Sequence, residues 1–542
     1  MGLRGTKLRV AITLTAVTGF SLFGYDQGLM SGIITAPQFW SEFPSVAGKD
    51  RHATVVQGAV TACYEIGCFF GAVGALFFGD KTGRRPIVLL GSVLMVIGTI
   101  ISVVAFGPHF GLGQFVIGRV ISGIGNGMNT ATIPVWQSEL SKAHNRGLLV
   151  SFEGSVIAVG TFIAYWIDFG CSYDQTSFSW RFPVAFQIVF AVAVFFGMLY
   201  LPESPRWLIG QGRIEEATHV LREVAGEQES EDEIKAEMKV MQESVRQLSN
   251  QGGFSELLTG GKTNHRGRML IGASTQFFQQ FTGCNAAIYY STVLFSDSLG
   301  QSRRLSLVLG GIFATIYAIA TTPAFFLIER LGRRPLFLIG ASGQGISFII
   351  TFACLAAGGN HEQNAKGAAV GLYLFIVFFA FTILQLPWVY PPEINPMRTR
   401  TAATSVSTCT NWISNFAVVM FTPVFIQSSQ WGAYLFFAVM NFVWVPIIYF
   451  FYPETKQRTL EEVDLIFAKA YEEKKFAFRV ANDMPKLSSA EIGSELEKSG
   501  LTSSPSKNPD SDEEKQATGT VEGTERNSEV PSTPSSSHEN AA

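Results

Sequence analysis

The chain alternates long apolar runs with shorter polar ones. Runs long enough to cross the ~30 Å hydrocarbon core of a bilayer recur near 10–34, 54–79, 86–106, 111–137, 147–168, 181–201, 269–296, 305–328, 335–357, 367–391, 402–426 and 431–452. Gly and Pro are frequent inside them, as membrane helices allow. The pattern predicts an all-α membrane protein of twelve transmembrane helices. Most acids and bases fall in 202–268 and 453–542. The stretch "EIKAEMKVMQESVRQL" is helical but too charged to span, which makes 202–268 a cytoplasmic helical linker. After Pro453, "LEEVDLIFAKAYEE" reads as an amphipathic surface helix, and from about 486 the Ser-, Glu-, Lys-, Pro- and Asn-rich chain reads as disordered. The expected organisation is therefore 1–201 and 269–452 as two six-helix halves, 202–268 as linker and 453–542 as tail.

The basic residues orient the bundle. Arg4, Lys7 and Arg9 precede the first span, while Lys81, Arg84, Arg85, Lys142 and Arg146 follow the second and fourth. Arg330, Arg333, Arg334, Arg398 and Arg400 follow the eighth and tenth. The intervening short loops carry fewer, apart from "SRR" at 302–304, so both termini are expected in the cytoplasm.

An internal repeat explains why there are two halves. "DKTGRRP" (80–86) returns as "ERLGRRP" (329–335), "ELSKAHNR" (139–146) as "EINPMRTR" (393–400) and "PES" (202–204) as "PET" (453–455). Three motifs in one order at nearly one offset indicate a duplicated six-helix unit, the plan of a transporter that rocks about a midplane site. The recurring bases Arg84, Arg85, Arg146, Arg333, Arg334 and Arg400 face the acids Glu139, Glu203, Glu393 and Glu454 as a candidate cytoplasmic gate. Plain positive-inside topology would also place the bases, but it does not need "GRRP" twice.

Composition sharpens the class. The chain is 47% hydrophobic and only 15% charged, against about a quarter charged in soluble domains. No basic patch interleaved with aromatics points to nucleic acid. The six cysteines are scattered, mostly in apolar segments, and imply neither a metal site nor a disulfide framework. No P-loop and no nucleophilic triad are present, so neither ATP drive nor an enzyme is indicated, and no cofactor is expected. The N-terminal run is longer than a signal-peptide core and reads as a retained first helix.

Four ionisable residues lie inside spans: Asp26, Glu65, Arg119 and Glu153. Each costs at least ~2.5–3.5 kcal/mol in hydrocarbon unless it faces the bundle interior. At ~1.5 Å per residue, Asp26 lies about 25 Å along the first helix and Arg119 about 12 Å down the fourth from the opposite side, which brings them to one depth. Glu65 falls nearer the middle and Glu153 in the inner half. An Asp26–Arg119 pair is either a fixed structural clasp or a proton switch, ionised beside the arginine and protonated when it withdraws. Uncharged polar residues form a second constellation. Gln276, Gln279, Gln280, Asn285, Tyr289 and Tyr290 share the seventh helix, Trp388 and Tyr390 the proline-broken tenth, and Asn411, Trp412 and Asn415 the eleventh. Amides suit hydroxyls, which both donate and accept, and aromatic faces suit C–H surface. Interhelical packing also uses amides, but a cluster on three helices fits a neutral polyhydroxylated ligand.

These residues resemble those of the sugar porters of the major facilitator superfamily over nearly all of 10–470, through "GYDQG", "GDKTGRRP", "GRVISGIGNG", "PESPRWL", "QQFTGCNAAIYYS", "ERLGRRP", "PWVYPPEI" and "PETK". Within that family the chain is most similar to fungal glycerol–proton symporters. The resemblance implies proton coupling by Asp26 and Arg119. It implies substrate binding by Gln279, Gln280, Asn285, Trp388 and Asn411, with Tyr289 or Tyr290 and Trp412 as further candidates. Animal glucose facilitators carry Asn where this chain has Asp26, although some fungal hexose facilitators keep the acid. Hexose carriers usually have a sugar-contacting Gln eight residues after the loop arginine. Counting from Arg146 gives Gly154 here, preceded by Glu153. That departure fits a shorter polyol and equally fits room for something larger; Glu153 stands as an additional candidate contact. The expected protein is a plasma-membrane symporter of a small polyol, foremost glycerol, acting as a monomer with protons and the bilayer as its other partners. A hexose transporter and a transporter-like nutrient sensor are the alternatives.

Overall fold

The computed structural model describes residues 3–487 except 49, 108–109, 142–145, 227–229, 250–253, 299, 358–360 and 397, with 491, 492 and 495 beyond them. The described residues up to 486 form one compact unit. The expected disorder of the tail lies outside the described residues. Among those residues the spanning helices are α1 (Gly5–Ile33), α2 (Arg51–Thr82), α3 (Arg84–Val103), α4 (Gly111–Glu139), α5 (Arg146–Cys171) and α6 (Phe178–Tyr200) in the first half. The second half holds α7 in two pieces (His265–Phe281 and Cys284–Val293), α8 (Arg303–Ala320) and α9 (Arg333–Ala356). It ends with α10 in two pieces (His361–Phe378 and Leu386–Ile394), α11 (Arg400–Ser428) and α12 (Gln430–Phe451). The chain is a multi-pass membrane protein.

Length and hydropathy alone mark ten helices among the described residues as spans. The two outside that set are α4, whose interior carries polar residues, and α7, which is broken into two shorter pieces. α4 buries Arg119, Asn126 and Asn129 because it is enclosed by neighbours. Small residues let those backbones meet: a Cβ on Gly123 or Gly127 would lie 2.3 and 2.1 Å from the carbonyls of Tyr64 and Cys68 on α2. One on Gly118 or Gly125 would lie 2.6 and 2.3 Å from those of Gly98 and Gly91 on α3. In "GYDQGLMSG" the same device seats α1 on α5, with Gly24 over Ile157, Gly28 over Ala164 and Gly32 over Asp168.

α7 is not the continuous span that its sequence suggests. It breaks at Gly283, whose φ of 91° is left-handed and where a side chain would meet the Phe437 ring at 2.8 Å. α10 breaks before its prolines rather than at them. A π-turn over Phe379–Ile383 precedes the second piece, and Pro387 sits in that piece's first turn, where a missing N–H costs nothing.

The repeated loops fold alike. The Arg84 guanidinium reaches Glu139 at 3.2 Å while the backbone N–H groups of Arg84 and Arg85 donate to Glu203. Arg333 reaches Glu393 at 2.7 Å while the N–H groups of Arg333 and Arg334 donate to Glu454. Every one of these pairs lies within one half. The Arg400 guanidinium donates to the Asn395 carbonyl in its own half, and the Arg146 side chain lies outside the described residues. The glycine before each loop is obligatory. Gly83 (φ 101°) and Gly332 (φ 96°) occupy backbone that other residues avoid, and a Cβ on either would lie 2.6 Å from the carboxylate of Glu203 or Glu454.

Gly83→Ala and Gly332→Ala should each lose about 1–3 kcal/mol, read as a lower melting temperature of the detergent-purified protein. Gly79→Ala, whose Cβ meets nothing within 4 Å, should leave the melting temperature unchanged or raise it.

Candidate functional site

Asp26 and Arg119 meet in the core of the first half. One guanidinium nitrogen donates to an Asp26 oxygen at 2.5 Å, with the side chains 0% and 1% exposed. The Tyr64 ring lies under the guanidinium, 4.5 Å from its centroid to the cation, so α2 closes the pair from a third side. The remaining guanidinium nitrogens find no hydrogen-bond partner among the described residues, which leaves Arg119 the capacity to change partners.

Glu65, the next residue after Tyr64, is also fully buried and accepts a hydrogen bond from the Tyr289 hydroxyl of α7. That contact crosses from one half to the other. Glu153 is buried on α5.

A second link to the other half starts beside the ion pair itself. Gln27 follows Asp26 and its amide donates to Asn285 at 3.4 Å. Asn285 in turn donates to Gln280 and Asn415, both at 2.8 Å. Asn411 donates to Gln276 at 2.7 Å and Gln279 at 3.0 Å. Those glutamines hold the carbonyls that the break in α10 exposes: Gln276 donates to Pro387, and Gln279 to Ile383 and Leu384. An interrupted membrane helix is tolerated where its free backbone groups are re-satisfied in this way.

A small cavity of about 20 Å³ lies among these amides, room for about one water. Five residues singled out in the sequence line it: Gln279, Gln280, Asn285, Trp388 and Asn411. Tyr289, Tyr290 and Trp412 do not. Tyr289 is turned to Glu65, Tyr290 donates to the Val419 carbonyl, and Trp412 packs edge-on against Phe23 at 5.4 Å. Tyr390 donates to the Pro453 carbonyl. Helical periodicity gives no side-chain directions once α7 and α10 are broken, which is why the sequence overcounts the aromatics. It also misses Phe23, Gln27, Tyr317 and Phe379, which line the cavity too. Gln27 was within reach, as an amide beside the one buried acid of α1. Tyr317 carries no such signal. The buried hydroxyl of Tyr317 and the Gln27 carbonyl find no hydrogen-bond partner among the described residues. A ligand bearing several hydroxyls supplies what both need.

The two halves touch most closely at the end opposite the repeated loops. There Ser31 of α1 meets Thr292 of α7 at 3.0 Å, and Tyr165 of α5 meets Ser291 at 2.6 Å. Trp166 donates to Thr315 of α8 at 3.1 Å, and the Arg304 guanidinium lies 4.5 Å from the Tyr173 ring. This end is closed.

Residues 11–467 match the family model described as "Sugar (and other) transporter". The chain is 57% identical to "Sugar transporter STL1" of Saccharomyces cerevisiae, over 91% of this chain and 87% of that protein. It is 54% identical to "Major facilitator superfamily transporter mfsA" of Aspergillus fumigatus, over 92% and 93%. Among solved structures it is similar to the proton:xylose symporter XylE bound to 6-bromo-6-deoxy-D-glucose. That match has a TM-score of 0.72 and 26% identity, and covers 85% of this chain and all of that one.

The Asn411 amide supports two buried glutamine carbonyls at once. Asn411→Ala should therefore lower stability by about 1–3 kcal/mol for each carbonyl left unpaired, measured as thermal unfolding in detergent. Tyr390→Phe, which frees one backbone carbonyl remote from the cavity, should cost less.

Proposed function

The chain belongs to the sugar (and other) transporter family, and from that premise we propose that it imports a small polyol, foremost glycerol, together with protons. It is a transporter and not an enzyme. The observation that carries the proposal is the adjacency of Asp26 and Gln27 on α1. One is held by Arg119 in a dry core, and the other lines the amide cavity.

Proton coupling follows from that adjacency. A carboxylate paired with Arg119 carries its charge at low cost, and one deprived of the arginine in hydrocarbon is stabilised by a proton. Movement of α1 that opens the cavity to a ligand also changes the distance between Asp26 and Arg119. Substrate and proton thus share one moving part. The ligand's chemistry is read from the wall: amide and phenol groups without a charge suit neutral hydroxyls, and Trp388 and Phe379 offer apolar faces to C–H groups. A cavity of about 20 Å³ must widen for any polyol, as alternating access requires. In this reading the repeated basic loops face the cytoplasm with both termini, the closed end faces outward, and the bilayer is the plasma membrane. The six-helix halves 1–201 and 269–452 rock as units about the site.

The coupling is tested by adding glycerol to unbuffered, glucose-starved cells that express the protein and recording external pH. Wild-type cells should alkalinise with glycerol and not with glucose, and Asp26→Asn cells should show no alkalinisation. Glycerol entry with no pH change would make the protein a facilitator and Asp26 a structural clasp. A response to glucose alone would assign it to hexoses. Deleting residues 487–542 should leave uptake intact; abolished signalling with intact uptake would favour a nutrient sensor.

A further inference from the structure

The break in α10 places one side chain of the second half inside the first. Gln385 occupies the turn between the two pieces of α10 and is 1% exposed. Its Cγ lies where α5 has no side chain: a Cβ on Gly154 would come within 2.7 Å of it. The contact is near the root of the glutamine, where a flexible tip cannot swing aside. The Gln385 amide nitrogen donates to the Ser155 hydroxyl at 3.2 Å, while its buried carbonyl oxygen has no hydrogen-bond partner among the described residues.

This insert stands directly behind the cavity wall, next to residues that line it. Leu384, beside Gln385, lines the cavity, as do Trp388 on α10 and Ile157 one turn along α5 from Gly154. Its backbone is fixed on both sides. Gln279 donates to Ile383 and Leu384 at 3.0 and 3.3 Å, and Gln276 donates to Pro387 at 2.7 Å. The Trp388 and Val389 N–H groups donate to the Gln385 carbonyl of the main chain at 3.0 and 3.2 Å. The glutamines at the ligand site thus hold the segment that carries Gln385.

From this geometry we infer that Gln385, seated in the Gly154 notch, sets the length of polyol the site accepts. The inference rests on the polyol reading above. The side chain takes up volume at the α5 wall that additional carbons of a longer polyol would need. Its unspent carbonyl accepts from a hydroxyl of a short one. Glycine at 154 is what admits the insert, so the size limit belongs to a pair of positions on opposite halves.

The two functions of Gln385 separate by substitution. Gln385→Leu fills the notch without an amide. It should raise the glycerol KM about fivefold, the loss of one neutral hydrogen bond, while xylitol and sorbitol remain poor competitors. Gln385→Ala empties the notch, and both longer polyols should then inhibit glycerol uptake at concentrations at least about fivefold lower than in wild type. Gly154→Ala should reduce uptake and melting temperature, and Gly154→Ala with Gln385→Ala should restore both towards wild type. Unchanged selectivity in Gln385→Ala, or a Gly154→Ala protein that Gln385→Ala does not rescue, would overturn the inference. Wild-type uptake of labelled glycerol is measured alongside. Its absence would sink the polyol reading, whereas the melting-temperature rescue reports on the notch whatever the substrate.

Discussion

A charge in hydrocarbon must find an opposite charge, and the contact between Asp26 and Arg119 at 2.5 Å is the point around which the first half is built. Removing one partner of such a pair leaves the other uncompensated, at about 3–5 kcal/mol. The surrounding sequence reads as a means of keeping both ions dry and together. α4 can carry Arg119 at the bundle centre because its glycines let α2 and α3 close on it. α1 can carry Asp26 there because Gly24, Gly28 and Gly32 let it lie against α5. The acid faces away from the glycine stripe, towards α4. One helix therefore has a packing face and a charged face within nine residues.

The second half solves a different problem with different chemistry. Its polar interior is made of amides that bond mainly to one another and to carbonyls freed by the breaks in α7 and α10. Such a network is neutral, so it has no need of a counter-ion and no reason to compete for Arg119. It is also finely poised, because every amide that rotates to meet a ligand gives up a bond inside the protein. The duplicated loops outside both interiors stayed alike: Arg84, Glu139 and Glu203 in one half and Arg333, Glu393 and Glu454 in the other make the same contacts. Duplication preserved the ends of the helices and let their middles diverge.

That division decides what could be read from the sequence. The helix count, the duplication and the shared depth of Asp26 and Arg119 follow from periodicity, repetition and rise per residue, quantities that survive without tertiary contacts. The five cavity amides and aromatics Gln279, Gln280, Asn285, Trp388 and Asn411 were legible because polar groups in a span must face inward. Tyr289, Tyr290 and Trp412 obey the same rule, yet inward includes helix neighbours as well as the cavity. Gly283 and the π-turn before Pro387 redirect whole helical faces, and neither leaves a periodic trace. Gln385 was invisible for a related reason: its position is set by a turn in α10, and its seat is an absent side chain on α5.

The separation of charge from hydrogen bonding has a mechanical consequence. An ion pair placed among the substrate's ligands would bind hydroxyls strongly in every state and leave little difference between states for transport to exploit. Here α1 bears on both sites, through consecutive residues that point to different partners. On a helix, neighbours are about 100° apart, so a rotation that withdraws Gln27 from Asn285 also swings Asp26 across Arg119. The linkage is carried by α1 itself, whose glycine face seats it closely on α5. The contacts of Ser31 with Thr292 and of Tyr165 with Ser291 hold that same helix and its neighbour at their far ends. In the proposed cycle, breaking them would release α1 over both sites at once.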